Sequence, residues 1–136
     1  MKQYKIGFIG SGLQARRRLC AIAADKNSQV VAIASKNPIT VRELALKYSL
    51  RVAKNWQEIV ADKEIDAIVV ATYPDSHAAI SLQALKSGKH VLCEKPLAKN
   101  LREAEEMVKI AKAAGKELKC GFNHRFHPAI QESKHI

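Results

Sequence analysis

The sequence predicts an α/β fold, a doubly wound parallel sheet of the Rossmann type built as a single domain. Three observations carry this. Short apolar runs alternate with segments of helical spacing along the whole chain. The first run passes into the first helical segment through Gly10-Ser11-Gly12. Two further runs, Gln29 to Ser35 and Ile65 to Ala71, are almost wholly apolar, as parallel strands covered on both faces should be.

The first element fixes the rest. Tyr4 to Ile9 reads as a strand, and Leu13, Cys20, Ala23 and Ala24 give the next segment helical spacing. Between them, Gly10 lets the chain reverse sharply. Gly12 has no side chain to hold a pyrophosphate off the backbone, and the small Ala15 lets the helix sit close on the strand. The helix N-terminus offers N–H groups and partial positive charge to phosphates. Ser11, Leu13 and Gln14 fill the same turn and join Gly10 and Gly12 as candidate cofactor-binding residues.

Pro38 suits the first turn of a helix running to about Tyr48, with Val41, Leu44 and Ala45 on one side. Arg51 to Ala53 makes a short strand, and Asn55 caps a brief helix carrying Trp56 and Ile59. Pro74 starts a helix that Gly88 stops, and His90 to Cys93 is another strand. Asn100 caps a helix with Glu103 in the reciprocal position, ended by Gly115. Leu118 to Gly121 is the sixth strand. Residues 1–121 are therefore expected to form the dinucleotide-binding domain. Residues 122–136 read as a connecting segment, a loop and the start of another helix, toward a part of the protein missing from this chain.

The totals exclude several classes. At 136 residues, with 47% hydrophobic and 26% charged, the chain has the balance of an ordinary globular domain with a sizeable core. Its longest uncharged apolar stretch, Ala67 to Tyr73, is far too short to span a bilayer. Lys2 and Lys5 precede a glycine motif rather than a long apolar region, so no secretory signal is read. The net charge of +10 raises the question of nucleic acid. The cations are scattered, however, and Arg16-Arg17-Arg18 covers three helix faces with few aromatics to stack bases, so no nucleic-acid partner is expected. Cys20, Cys93 and Cys120 lack metal-ligand spacing and read as buried thiols in a reducing cytoplasm, which makes the expected location cytoplasmic.

Ligands of an open parallel sheet collect beyond the carboxyl ends of its strands. The second strand ends in Ser35-Lys36-Asn37, where NAD-specific folds place an acid. A hydroxyl and a cation there suit a 2′-phosphate, so the cofactor expected is NADP in preference to NAD. The central strand ends in Ala71, Thr72 and Tyr73, small enough at the first two positions for a dinucleotide to cross, with Tyr73 toward the nicotinamide and His77 in support. The fifth strand ends in Glu94-Lys95-Pro96. Lys95 in that position can bond a substrate hydroxyl and help its proton leave, or form a plain surface pair with Glu94. Asn123 and Arg125 offer polar groups at the same edge. His124 and His127, three apart with no third ligand, do not make a metal site.

Four segments, in this order and spacing, closely resemble the N-terminal domain of the glucose–fructose oxidoreductase / inositol dehydrogenase (Gfo/Idh/MocA) family. They are Gly10 to Ala15 (Gly-Ser-Gly-Leu-Gln-Ala), Ala71 to His77, Gly88 to Ala98 with its Glu-Lys-Pro core, and Gly121 to Pro128. The resemblance implies an NAD(P)-dependent oxidoreductase acting by hydride transfer on a sugar, cyclitol or related polyol. It implies that Lys95 is the catalytic lysine near nicotinamide and substrate, with Glu94 beside the cofactor. Asn123 and Arg125 match the segment that passes the active site. It also implies a second α/β domain with a mainly antiparallel sheet, which supplies the catalytic histidine, the substrate pocket and the usual oligomer surface. That domain is absent here, so this chain alone is expected to bind cofactor with little turnover. The alternatives are a non-catalytic dinucleotide-binding sensor, a subunit completed by a partner chain, and a basic interaction module reusing the fold. Exposed apolar surface near the chain's end also admits a homo-oligomer.

Overall fold

The computed structural model describes residues 3–135; Met1, Lys2 and Ile136, which fall at the outer ends of the two stretches expected above, lie outside them. Six parallel strands form one sheet: β1 (Tyr4–Ile9), β2 (Ser28–Ala34), β3 (Arg51–Val52), β4 (Ala67–Val70), β5 (His90–Cys93) and β6 (Leu118–Cys120). Their order is β3-β2-β1-β4-β5-β6. The chain thus winds outward from β1 in one direction, returns to β4 and winds out in the other. Beside β1 and β4 lies the switch point, where such sheets open a crevice.

The helices follow the strands: α1 (Leu13–Ala23), α2 (Pro38–Tyr48), α3 (Trp56–Ala61), α4 (Pro74–Lys86), α5 (Leu101–Ala114) and α6 (Pro128–Ser133), with a 3₁₀ turn at Asn123–Phe126. Two clusters of buried side chains cover the two faces of the sheet. One gathers Phe8, Leu19, Ile33 and Leu44 beneath α1 and α2. The other gathers Ile59, Ile68, Ile80, Leu85 and Met107 beneath α3, α4 and α5. Burial of these apolar groups, rather than helix propensity, holds the layers together.

Local chemistry explains the boundaries. Asn37, Asn55 and Asn100 accept hydrogen bonds from the first-turn amides of α2, α3 and α5. Glu103 answers not the Asn100 amide but that of Lys99, one residue earlier, and Glu58 likewise takes the amide of Lys54. α5 ends at Gly115 with φ +62, while α2 ends at Ser49 with φ +56. Four strands are shorter or shifted relative to expectation, β3 by stopping at Val52 before Ala53. β2 covers Ser28–Ala34 rather than Gln29–Ser35, and Gly121 lies beyond β6. The central strand is Ala67–Val70 only. Ile65 is buried yet bonds back to the Asp62 carbonyl, so it turns into the strand rather than extends it, while the Asp66 side chain takes the Lys5 amide.

At the amino edge, Lys89 is buried with its ammonium donating to the carbonyls of Asp62 and Ile65, 2.6 and 2.8 Å away. It closes the C-terminal end of α3, and burial lowers its pKa from the ordinary lysine range. The thiols do not share one fate. Cys93 is buried and pushed up to about 12, chiefly by desolvation, whereas Cys20 lies exposed on α1, correcting the expectation that it is buried. Iodoacetamide at pH 8 is accordingly expected to label Cys20 and spare Cys93 in the native chain, with both labelled in urea. Mass spectrometry of the peptides checks this, and native labelling of Cys93 would contradict the burial.

Candidate functional site

The crevice at the switch point is built around Gly10. Its φ is +114, and a Cβ there would lie 2.2 Å from the Ala71 carbonyl oxygen. The turn after β1 therefore presses directly against the turn after β4. Gly12 differs: nothing lies within 4 Å of a Cβ at that position, so its face is open. This is the space a pyrophosphate needs over a bare backbone. Leu13 and Gln14 are exposed beside it, and Ala15 is fully buried against the sheet.

The helix ends separate into two kinds. α2, α3, α5 and α6 each carry a side-chain cap at the N-terminus. Among the described α-helices, α1 and α4 carry none, being preceded by Gly12 and Tyr73. These are the two helices that follow β1 and β4, so the uncapped ends flank the crevice. Their first-turn N–H groups and the dipole behind them are available to an anionic ligand. The residues thus fit a dinucleotide: an open glycine and donor amides where phosphates would lie.

Hydroxyls tie the glycine turn to the end of β2. Ser11 is buried, its Oγ 2.6 Å from Ser35 Oγ and 2.5 Å from Thr40 Oγ1. Ser35 Oγ also accepts from the Asn37 amide, so this hydroxyl is committed to the turn. Asn37 caps α2, leaving Lys36 exposed as the cation of that turn. Arg16, one helical turn away, is held by Glu43 through two bonds of 3.0 and 2.8 Å, which lowers the pKa of the Glu43 carboxyl.

The other strand ends are joined by two buried side chains. His77 is fully buried; its Nδ1 lies 2.7 Å from the Pro96 carbonyl oxygen and its Nε2 3.0 Å from that of Thr72. It meets the crevice only through the two turns it bridges. Glu94, 6% exposed, is ion-paired to Arg18 of α1, and Arg18 also donates to the Gly121 carbonyl at 3.0 Å. Lys95 takes no part in this pair: it is exposed, and among the described residues it has no ion-pair partner. The plain Glu94–Lys95 surface pair is not formed.

Ala71 is partly buried against Gly10, Thr72 Oγ1 accepts from Ser76 Oγ at 2.7 Å, and Tyr73 is 84% exposed at the start of α4. Asn123 and Arg125 sit exposed on the 3₁₀ turn, with the Arg125 guanidinium 5.8 Å from the Phe126 ring. Among the described residues no group of three His, Cys, Asp or Glu side chains is placed to hold a metal ion. A cleft of about 640 Å³ lies at the opposite, amino edge, lined by residues such as Tyr4, Asp66 and Lys89. It is remote from the glycine corner and takes no part in it.

Residues 4–122 match a family model described as an oxidoreductase family with an NAD-binding Rossmann fold. The chain belongs to the Gfo/Idh/MocA family. It is 37% identical over 105 residues to trans-1,2-dihydrobenzene-1,2-diol dehydrogenase of Danio rerio, covering 76% of this chain and 31% of that one. With the inositol 2-dehydrogenase/D-chiro-inositol 3-dehydrogenase of Shouchella clausii it shares 35% identity, covering 96% and 39%. Biliverdin reductase from Synechocystis sp. PCC 6803, solved with biliverdin and NADP+, superposes with a TM-score of 0.90 at 30% identity, over 96% of this chain and 42% of that one. This Gfo/Idh/MocA chain therefore spans roughly a third to two-fifths of these relatives' length. It is the family's NAD-binding Rossmann domain.

Sequence reasoning missed Arg18 and Thr40. Arg18 sat in a run read only as scattered charge, though its neighbours Arg16 and Arg17 were assigned to other faces. Thr40 gave no local signal, because its partner Ser11 is 29 residues away in sequence.

Proposed function

We propose that this chain is the cofactor-binding part of an oxidoreductase that transfers hydride between NADP(H) and a hydroxyl-bearing carbon of a sugar, cyclitol or related polyol. The observation that carries the reading is the open Gly12 at the uncapped start of α1, with α4 likewise uncapped after β4 and Lys95 unpaired at the neighbouring strand end. The relatives named above include a cyclitol dehydrogenase and an NADP+-bound reductase, which supports the substrate and cofactor classes. When bound, the nicotinamide supplies or accepts the hydride. Lys95 holds the substrate oxygen by hydrogen bond and takes part in moving its proton. Residues 1–121 form the nucleotide-binding unit, and residues 122–136 lead from it toward a substrate domain. The enzyme works in the reducing cytoplasm, in keeping with three cysteines that form no disulfide.

For the cofactor, the turn after β2 decides. It offers no carboxylate to repel a 2′-phosphate, and Lys36 is free to meet one. Titration of the chain with NADPH and NADH, by nicotinamide fluorescence and calorimetry, tests this. NADPH is expected to bind more tightly, and Lys36→Ala to weaken it about tenfold, the loss of one charge-assisted bond. NADH binding should change little. Equal affinities would overturn the NADP preference, and absence of binding to both would overturn the glycine corner as a self-sufficient site.

A further inference from the structure

The arginine run of α1 sends its three members to three places. Arg16 goes to Glu43 of α2, Arg17 to solvent, and Arg18 inward to the ends of β5 and β6. The Arg18 side chain is 22% exposed and that of Glu94 7%. A carboxylate so far from water needs a cation beside it, and Arg18 supplies one. The pairing is also shaped for close approach. Gly121 leaves room for it, since a Cβ there would lie 2.7 Å from Glu94 Oε2 and 3.0 Å from Arg18 Nη2. Backbone bonds from Glu94 to Val70 and from Gly121 to Cys93 lock both strand ends around the pair.

Lys95 is the next residue along from Glu94, exposed and unpaired. We infer that Arg18 is a positioning residue for Lys95: by taking the Glu94 carboxylate into a buried ion pair, it leaves the Lys95 ammonium uncommitted at the mouth of the sheet. Without Arg18, a buried carboxylate would be left seeking a cation one residue from Lys95, and a carboxylate beside an ammonium holds it in its charged, unreactive form. The inference rests on the reading of Lys95 as the group that handles the substrate proton. It goes beyond that reading by naming what keeps this amine free.

The test reads the amine itself, not turnover. The chain is acetylated at low extent with acetic anhydride at fixed pH, and the rate at Lys95 is measured by peptide mass spectrometry relative to exposed Lys54. Arg18→Met is expected to lower the relative rate about threefold or more, the scale of an unscreened charge several ångströms away. Arg18→Met with Glu94→Gln should restore it, and Glu94→Gln alone should leave it within about twofold of the parent. Arg18→Gln keeps a donor for Glu94 without the charge, and should lower the rate even if the methionine variant fails to fold. A rate unchanged in the Arg18 single variants, or a fall that persists when Glu94 is neutralised, would overturn the inference. A merely structural tie would disturb the arginine variants with and without Glu94 alike. Because no turnover is measured, failure here leaves the assignment of Lys95 to proton transfer standing, and failure of that assignment leaves this result standing.

Discussion

Replacing Gly10 with alanine is expected to destabilise the chain by about 3 kcal/mol or more and to abolish dinucleotide binding. Two costs combine. The backbone at Gly10 has φ +114, which a side chain disfavours, and the new methyl would lie 2.2 Å from the Ala71 carbonyl oxygen and 2.7 Å from its carbon. That neighbour is backbone and cannot rotate aside. Relief requires β1 and β4 to separate at the switch point, and those strands are bonded along Ile6 to Ile9. Gly12→Ala is the control. Its φ is −75 and nothing lies within 4 Å, so its stability should stay near that of the parent while nucleotide binding falls. Urea unfolding followed by circular dichroism, with NADPH titration of the folded variants, measures both. A loss below about 1 kcal/mol for Gly10→Ala would show that the two turns are not in contact.

His77→Ala carries the second large effect, again about 3 kcal/mol or more. The ring is fully buried, so its removal leaves a cavity, and a buried carbonyl that it donates to loses its donor. A carbonyl only accepts, so a neutral ring can serve the Thr72 or the Pro96 oxygen, one at a time, and the doubly protonated ring serves both. His77→Gln, which keeps an amide donor of nearly the right reach, should recover part of the loss, and His77→Leu, which fills space without donating, should recover less. Beyond stability, the ring joins the turn after β4 to the turn that carries Lys95. Exchange should therefore accelerate together at Ala71 and Glu94, the bonded amides beside the two turns. Acceleration at only one of the two would contradict the bridge.

These residues mark how far the sequence could be read. Asn55, Asn100 and Gly115 were legible because a cap acts on amides within three residues of itself, whereas Asn37, read only as part of the cofactor turn, proves to cap α2 as well. The alternation of strands and helices gave the fold for the same reason: each period is local. The apolar run from Ile65 to Ala71 overstated its strand because hydrophobicity reports burial, and Ile65 is buried without extending the ladder. The site was half legible. Glycines at 10 and 12 announce a turn, but only coordinates show that one is jammed against Ala71 and the other faces open space. Ser35 stands out in the sequence as a hydroxyl at a strand end, but its bond to Ser11, 24 residues away, shows only in the fold. Glu94 and Lys95 look like a pair on paper. The partner Glu94 takes is 76 residues distant, and no spacing rule reaches that far.

The uncapped start of α1 has a consequence for any attempt to improve this protein. A polar side chain at residue 12 has room to enter and would give the helix the terminal bond that α2, α3, α5 and α6 already enjoy. Selection for heat resistance in the absence of nucleotide would reward that change. The winner would be a tougher protein with its doorway bricked up, so a screen run without ligand would breed out the trait worth keeping.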